Sequence, residues 1–346
     1  MIRLRQKYIT TLDDYPVATA WNPADSRLAV ALANGGVFLK DLSGFANLTS
    51  LTQFKAHQMG CSQVVWLDDT RLATGGHDGK LNIWNTDTSE LVSSFVINDD
   101  NPKSWIESLV FQPTTQLLAA ASGKSVKIFD ADLTQQYHFT CHDSTVTGLS
   151  FSKNGQKLAA AYYGGVNVYQ FINNDFSMEV MPYPISFVSL AMSPNGRFVA
   201  AGTQDKCLHF WLLPYTEDED LEMSGYPKKI QLMAWLSDSK YIFTASQRMI
   251  ITWEMRSETK SPEGSRPVML DDHEAPVTAL STQNHGLLTA SGDAEGRVII
   301  WNYPKSEYVQ TDWEVKGGIT SLAWSNDEKK LTATSERGGV EVWDVH

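Results

Sequence analysis

A chain of 346 residues exceeds the usual single domain, and by length alone it would be two unless it is a repeat that adds units without adding a second core. Its 42% hydrophobic and 20% charged residues are those of a globular protein, and no apolar run approaches the roughly 18 residues a membrane helix needs. A net charge of −12 argues against nucleic-acid backbone binding, which depends on clustered Lys and Arg, so neither nucleic acid nor a membrane is expected as partner.

The N-terminus, Met1-Ile-Arg-Leu-Arg5, is basic but is followed by no long apolar stretch or small-residue cleavage site, so a secretory signal is not expected. Cys61, Cys141 and Cys207 are few, odd in number and far apart, so a reducing cytoplasm is expected rather than a disulfide framework.

In chain order, Leu4–Leu12 reads as a strand, and a repeated pattern follows it. An apolar segment ends in an aromatic, a Leu-x-Ala-like segment follows a turn, and a third segment closes on Trp-Asp or a relative. The closing positions are Lys40, Trp84, Phe129, Tyr169, Trp211, Trp253, Trp301 and Trp343. Their spacing, about 43 residues, is that of a four-stranded propeller blade. Val146–Phe151 and Ile319–Trp324 alternate as strands do. Asn154-Gly155 and Asn195-Gly196 predict tight hairpins in which both residues tolerate positive φ. Leu72-Ala-Thr-Gly-Gly, Leu158-Ala-Ala-Ala and Phe198-Val-Ala-Ala-Gly carry the small side chains suited to inner strands. Glu217–Asp220 with Glu222 reads as a solvated acidic loop. Arg256–Pro267 reads as a polar insertion that lengthens one spacing. No amphipathic helix is expected, and the fold class is all-β.

Motifs of catalysis are missing their partners. Gly123-Lys124-Ser125 imitates a phosphate loop, but Leu118 stands where its first Gly belongs. His273-Glu274 would need a second His at Val277. His57 with Cys61, Cys141 with His142, and Cys207 with His209 do not supply the four convergent ligands zinc takes. No catalytic residue, metal site or cofactor is expected.

In these repeats the chain resembles the WD-repeat family. The resemblance implies a buried hydrogen-bonded set of His, Ser/Thr, Asp and Trp, carried in full by His57, Thr74, Asp78 and Trp84. Other repeats are partial: His142 has Tyr163 where Asp would be, Asp205 and Trp211 lack a His, and His273 and Trp301 flank a lengthened turn. Eight repeats imply an eight-bladed WD-repeat β-propeller, one domain over 1–346, with the N-terminal strand completing the last blade. A seven-bladed alternative would leave the first repeat outside.

The resemblance further implies a non-catalytic scaffold that binds a protein or peptide on the rim built by the starts of the inner strands and the turns between second and third strands. Trp105, Tyr163, Arg248, Arg337, Lys229 and His77 fall there, and aromatic and Arg residues favour binding hot spots. The scaffold itself is expected to be monomeric. Two alternatives stand beside it. One is a small-molecule or metal-binding propeller, or an enzyme, using the axial channel with carboxylates such as Glu295 or Glu336 near Arg337. The other follows from Glu222–Lys229 and Ser261–Pro267, which resemble a bacterial subgroup associated with metal-handling GTPases and imply an accessory role in metal homeostasis.

Overall fold

The computed structural model describes residues 4–43, 51–172, 175–216, 220–256, 262–303 and 309–346. Its elements are all strands, arranged as eight four-stranded antiparallel blades of a β-propeller, so the count is eight and not seven. Blade 1 is β2 (Pro16–Trp21), β3 (Arg27–Leu32), β4 (Gly36–Asp41) and β5 (Leu51–Lys55), and blade 2 is β6 (Cys61–Trp66), β7 (Arg71–Gly76), β8 (Lys80–Asn85) and β9 (Glu90–Val96). Blade 3 is β10 (Ile106–Gln112), β11 (Leu117–Ser122), β12 (Ser125–Phe129) and β13 (Gln135–Phe139). Blade 4 is β14 (Val146–Phe151), β15 (Lys157–Tyr162), β16 (Gly164–Ile172) and β17 (Asp175–Tyr183). Blade 5 is β18 (Phe187–Met192), β19 (Phe198–Thr203), β20 (Leu208–Leu212) and β21 (Leu221–Met223). Blade 6 is β22 (Leu232–Trp235), β23 (Tyr241–Ser246), β24 (Met249–Glu254) and β25 (Val268–Leu270). Blade 7 is β26 (Val277–Thr282), β27 (Leu288–Asp293), β28 (Arg297–Asn302) and β29 (Val309–Glu314). Blade 8 is β30 (Ile319–Trp324), β31 (Lys330–Ser335), β32 (Gly339–Val345) and, as its outer strand, β1 (Leu4–Thr11).

The described residues fall into two compact units. The first runs to Val96 and adds Pro102–Ile106 and everything from His273; the second is Ile97–Asn101 with Glu107–Asp272. Each unit thus holds four blades.

The small-residue segments form second strands, between the first and third of each blade, rather than the innermost ones. In β15, Ala160 packs with blade 3 residues, whereas Ala159 and Ala161 pack with Met192, Val199 and Trp211 of blade 5. A strand with both faces covered has no polar side, and alternate side chains serve the two neighbours. Small residues are needed because two blades close on the same strand.

The Asn-Gly sites are also different from the expectation. Gly155 and Gly196 have positive φ, but Asn154 and Asn195 do not. The loop is longer than a two-residue hairpin. Buried Ser152 donates to Asn154 Oδ1 at 2.7 Å and accepts from the Lys157 amide at 3.0 Å. Ser193 with Asn195, and Ser325 with Asp327, repeat this geometry. The signal is therefore Ser-x-Asn/Asp, with the Asx oxygen and the Ser hydroxyl holding the loop.

Consecutive first-to-second strand loops in the first unit are tied by carboxylates. Glu328 accepts from the Gly286 amide at 2.9 Å, Asp25 from the Asp327 amide at 2.7 Å, and Asp69 from the Ala24 amide at 2.8 Å. Tryptophans at the ends of first strands add a second tie, Trp66 Nε1 donating to Ala20 O and Trp324 Nε1 to Ser281 O.

The N-terminal strand completes blade 8. β1 pairs antiparallel with β32 from Leu4↔Val345 to Thr11↔Gly339, and Leu12 N donates to Gly338 O at 2.8 Å. Without β1, β32 would be an unpaired sheet edge. Deleting residues 1–12 removes about seven backbone hydrogen bonds worth roughly 1 kcal/mol each. It is expected to lower the thermal midpoint by about 10 °C or more in calorimetry. An unchanged midpoint would contradict the closing role of β1.

Candidate functional site

The loops that lead into first strands are held from inside. In blade 2, His57 Nδ1 lies 2.9 Å from Asp78 Oδ1 and its Nε2 lies 2.8 Å from Thr74 Oγ1, while Trp84 Nε1 donates to the same hydroxyl at 3.1 Å. A carboxylate only accepts, so Nδ1 carries the proton and the chain runs Trp84 to Thr74 to His57 to Asp78. Blade 7 has the same set in full: Trp301 to Ser291 at 2.7 Å, Ser291 to His273 at 2.7 Å, and His273 to Asp293 at 2.8 Å. The turn is not lengthened: three residues separate β27 from β28, as three separate β7 from β8. Asp293 stands two residues after Ser291, at the position matching Gly76, so the carboxylate approaches from the strand end instead of the turn.

Other blades keep the pin with different groups. In blade 6, Tyr226 replaces His: its hydroxyl lies 3.0 Å from Thr244 Oγ1 and accepts from Trp253 Nε1 at 2.8 Å. In blade 4, Tyr169 replaces Trp and reaches His142 Nε2 directly at 3.0 Å. In blade 1, Lys40 is buried and its ammonium lies 5.1 Å from the Tyr8 ring centroid. In blade 5, Ala201 leaves Trp211 Nε1 without a hydroxyl, and Asp205 is exposed.

These loops and turns form a repeated edge. In blades 1, 2, 5, 7 and 8 the turn after the second strand donates a backbone amide to the loop before the first strand: Ala33 to Tyr15, His77 to Gly60, Gln204 to Ser186, Ala294 to Pro276 and Glu336 to Gly318. In the first unit, one stretch of this edge is apolar. The His77 and Trp105 rings stack at 4.2 Å and 19°. The His77 ring lies so close over Gly60 that a Cβ there would stand 2.3 Å from Nδ1. Trp105, Met59 and Tyr15 are 51%, 58% and 45% exposed. Met59 and Tyr15 were absent from the expected site. Their signal was position alone, since both stand in loops that lead into first strands.

The other expected residues lie apart from this stretch. Arg337 is exposed on the turn after β31, its stem across Gly317, beside a recess of about 550 Å³ shared with Glu314, Lys316 and Glu341. Burial raises the Glu341 carboxyl. A second recess of about 480 Å³ holds Glu274, Asp293, Glu295, Arg297 and Glu314; Asp293 there is committed to His273 and to the amides of Glu295 and Arg297. In the second unit, Tyr163 is 55% exposed with its amide held by Ser144 Oγ, and Lys229 is exposed. Arg248 is ion-paired with Asp271 at 3.4 Å, an exposed pair of small energetic weight.

Of the acidic run, residues 217–219 lie outside the described residues, as do 257–261 of the insertion. Asp220 sits 3.3 Å from His209 Nε2. No metal-holding cluster of His, Cys, Asp and Glu occurs among the described residues.

Burial lowers the His57, His142 and His209 imidazoles below the ordinary value. The unfolded chain therefore binds these protons first as pH falls. Their contribution to stability is complete above about pH 6.5 and is lost progressively below it, as the pH approaches the folded values. The thermal midpoint should accordingly be lower at pH 5.5 than at pH 7.5, and His209→Gln should blunt the drop. An unchanged or rising midpoint would contradict buried neutral rings.

Ser291→Ala removes the hydroxyl that Trp301 Nε1 and His273 Nε2 share, and should cost about 2–4 kcal/mol in urea unfolding. Thr289→Val on the same strand removes a buried hydroxyl that makes no hydrogen bond, and should be neutral or stabilising.

Comparison with known proteins places the whole pattern. The WD domain, G-beta repeat (WD40) model matches residues 48–85, 92–130, 133–170, 185–211, 264–302 and 308–344, more than half of the chain. Blades 1 and 6, where Lys40 and Tyr226 replace the usual groups, are the ones it passes over almost entirely. Telomerase protein component 1 of Mus musculus is 22% identical over 349 residues, covering 98% of this chain and 12% of that protein. The B-type cell cycle switch protein ccs52A of Medicago truncatula is 25% identical over 311 residues, covering 85% of this chain and 61% of that protein. The chain thus spans less than two thirds of either relative. The crystal structure of the computationally designed Ika8 protein matches with a TM-score of 0.77 at 17% identity, over 96% of this chain and 97% of that one, a likeness of fold. The chain belongs to the WD-domain, G-beta repeat family.

Proposed function

We propose that the chain is a non-catalytic platform that binds a protein or peptide partner through the edge carrying Tyr15, Met59, His77 and Trp105. The observation that supports this reading most is the exposed indole of Trp105 held flat against the His77 ring, with two further exposed apolar residues, Met59 and Tyr15, in the loops that lead into the first strands of blades 2 and 1. A large apolar ring kept in water by a rigid neighbour loses little freedom when a partner covers it. Single exposed apolar residues are ordinary, whereas neighbouring ones on a built edge mark an interaction surface. The relatives agree in kind: one is named a protein component of telomerase and another a cell cycle switch protein.

The test uses the full chain with a photo-crosslinking amino acid at Met59, compared with one at Leu91, an exposed position on the outer strand β9. In lysate of the source cell, the Met59 chain should capture a defined protein that the Leu91 chain does not. Adding Trp105→Ala should reduce capture about tenfold, the loss of a hot-spot aromatic. Equal capture at both positions, or indifference to Trp105→Ala, would contradict this placement of the site.

A further inference from the structure

A different cluster, in blade 4, carries reactive chemistry that the binding edge does not use. Of the three free thiols, Cys61 is buried, and burial pushes it up to about 12. Cys207 is raised by burial and then by the Glu222 and Asp205 carboxylates. Cys141 is exposed, in the loop between β13 and β14. Its Sγ lies 3.4 Å from the Tyr169 hydroxyl, which lies 3.0 Å from His142 Nε2, and His142 Nδ1 lies 2.9 Å from the Lys124 carbonyl oxygen.

The direction of every proton follows from the far end. A carbonyl only accepts, so Nδ1 of His142 holds a proton. Burial lowers this imidazole, so at neutral pH the ring is neutral and Nε2 offers a lone pair. Tyr169 must then donate to Nε2, and its oxygen is left to accept from the Cys141 thiol. Asn167 is fixed in orientation because its Oδ1 accepts from the Tyr162 hydroxyl at 3.1 Å. Its amide group is thereby aimed at the Tyr169 oxygen, 3.4 Å away, and at Cys141 Sγ, 3.8 Å away. Tyr169, His142 and Asn167 are all buried, so a surface thiol stands at the end of a directional chain leading inward.

We infer that Cys141 is a modification site for hydroperoxides, its proton leaving through Tyr169 to His142 as the sulfur reacts. In the step, sulfur attacks one peroxide oxygen, an S–O bond forms and the O–O bond breaks. The thiol proton passes to the Tyr169 oxygen while the Tyr169 proton passes to His142 Nε2. The departing hydroxide takes a proton back along the same path and leaves as water. Sulfur gives up two electrons, the peroxide takes them, and the products are a sulfenic acid and water. The transient imidazolium is met by the Lys124 carbonyl and the neighbouring Asp143 carboxylate. A nucleophile activated by a base through a positioned hydroxyl is a form of general-base catalysis.

The test treats the reduced full chain with hydrogen peroxide at pH 7 in the presence of dimedone. Labelling of each cysteine peptide is followed by mass spectrometry, in buffer and in urea. Cys141 in the folded chain should label at least tenfold faster than Cys207, and faster than Cys141 itself in urea, where the relay is gone. Tyr169→Phe, checked for folding by circular dichroism, should slow Cys141 roughly tenfold or more and leave Cys207 unmoved. The inference is overturned if folded Cys141 reacts no faster than unfolded Cys141. A folded Tyr169→Phe chain labelled at the wild-type rate would overturn it equally. The urea comparison decides the matter even where that variant does not fold.

Discussion

A buried polar ring must find hydrogen-bond partners, and in this chain that requirement fixes the path of the backbone into the first strand of several blades. His57 and His273 are each nearly without solvent contact, and leaving either ring nitrogen unpaired there would cost a desolvation penalty of about 1–3 kcal/mol. The partners are a hydroxyl on the second strand, itself held by an indole on the third, and a carboxylate near the turn between them. Loop, strands and turn are therefore fixed together. Blade 6 shows that the constraint is chemical rather than tied to one residue type, since the Tyr226 hydroxyl both donates and accepts in the place of imidazole.

That internal constraint reaches the surface through one further bond. With the loop pinned, its carbonyl is in place to take the amide of the following turn, as Gly60 does from His77 at 2.8 Å. Gly60 has no side chain, so the His77 ring can lie on its backbone, and Trp105 can lie on the His77 ring. The exposed indole is thus three contacts removed from the buried His57. A rigid edge of this kind separates stability from recognition: the pins use buried polar groups, and the side chains above them are free to differ from blade to blade. Apolar groups occupy the Tyr15–Trp105 stretch, while Arg337 shares its recess with Glu314, Lys316 and Glu341.

The number of blades and the closing strand were legible because both rest on periodic apolar residues, which are set by burial. The full set in blade 2 was legible through the family resemblance, its four residues standing at the spacings the family shows. Asp293 was missed because spacing was read from the turn, whereas a carboxylate at the end of β27 reaches the same nitrogen. Tyr226 was missed because a hydroxyl can replace an imidazole without any trace in a pattern of residue types. The loops after first strands were read as Asn-Gly hairpins because the buried serine that organises them, Ser152 or Ser193, is an unremarkable letter in sequence. Trp105 and His77 were both singled out, but their stacking depends on two chain segments brought together by folding. For the same reason the exposed Arg248–Asp271 ion pair could not be seen.

Blade 4 shows how a structural pin changes character when one member is exchanged. In blades 2 and 7 the indole N–H can only donate, so the chain of hydrogen bonds starts at a group that cannot pass a proton onward under ordinary conditions. Tyr169 puts an O–H in that place. A hydroxyl both accepts and donates, so the chain no longer starts at the aromatic ring but continues outward to whatever stands beside it, and here that is a thiol. The exchange also removes the need for a Ser or Thr between ring and imidazole, and Ala160 occupies that position on β15. The geometry that elsewhere only holds a loop in place therefore connects a buried base with solvent in this blade, without any change in the course of the strands.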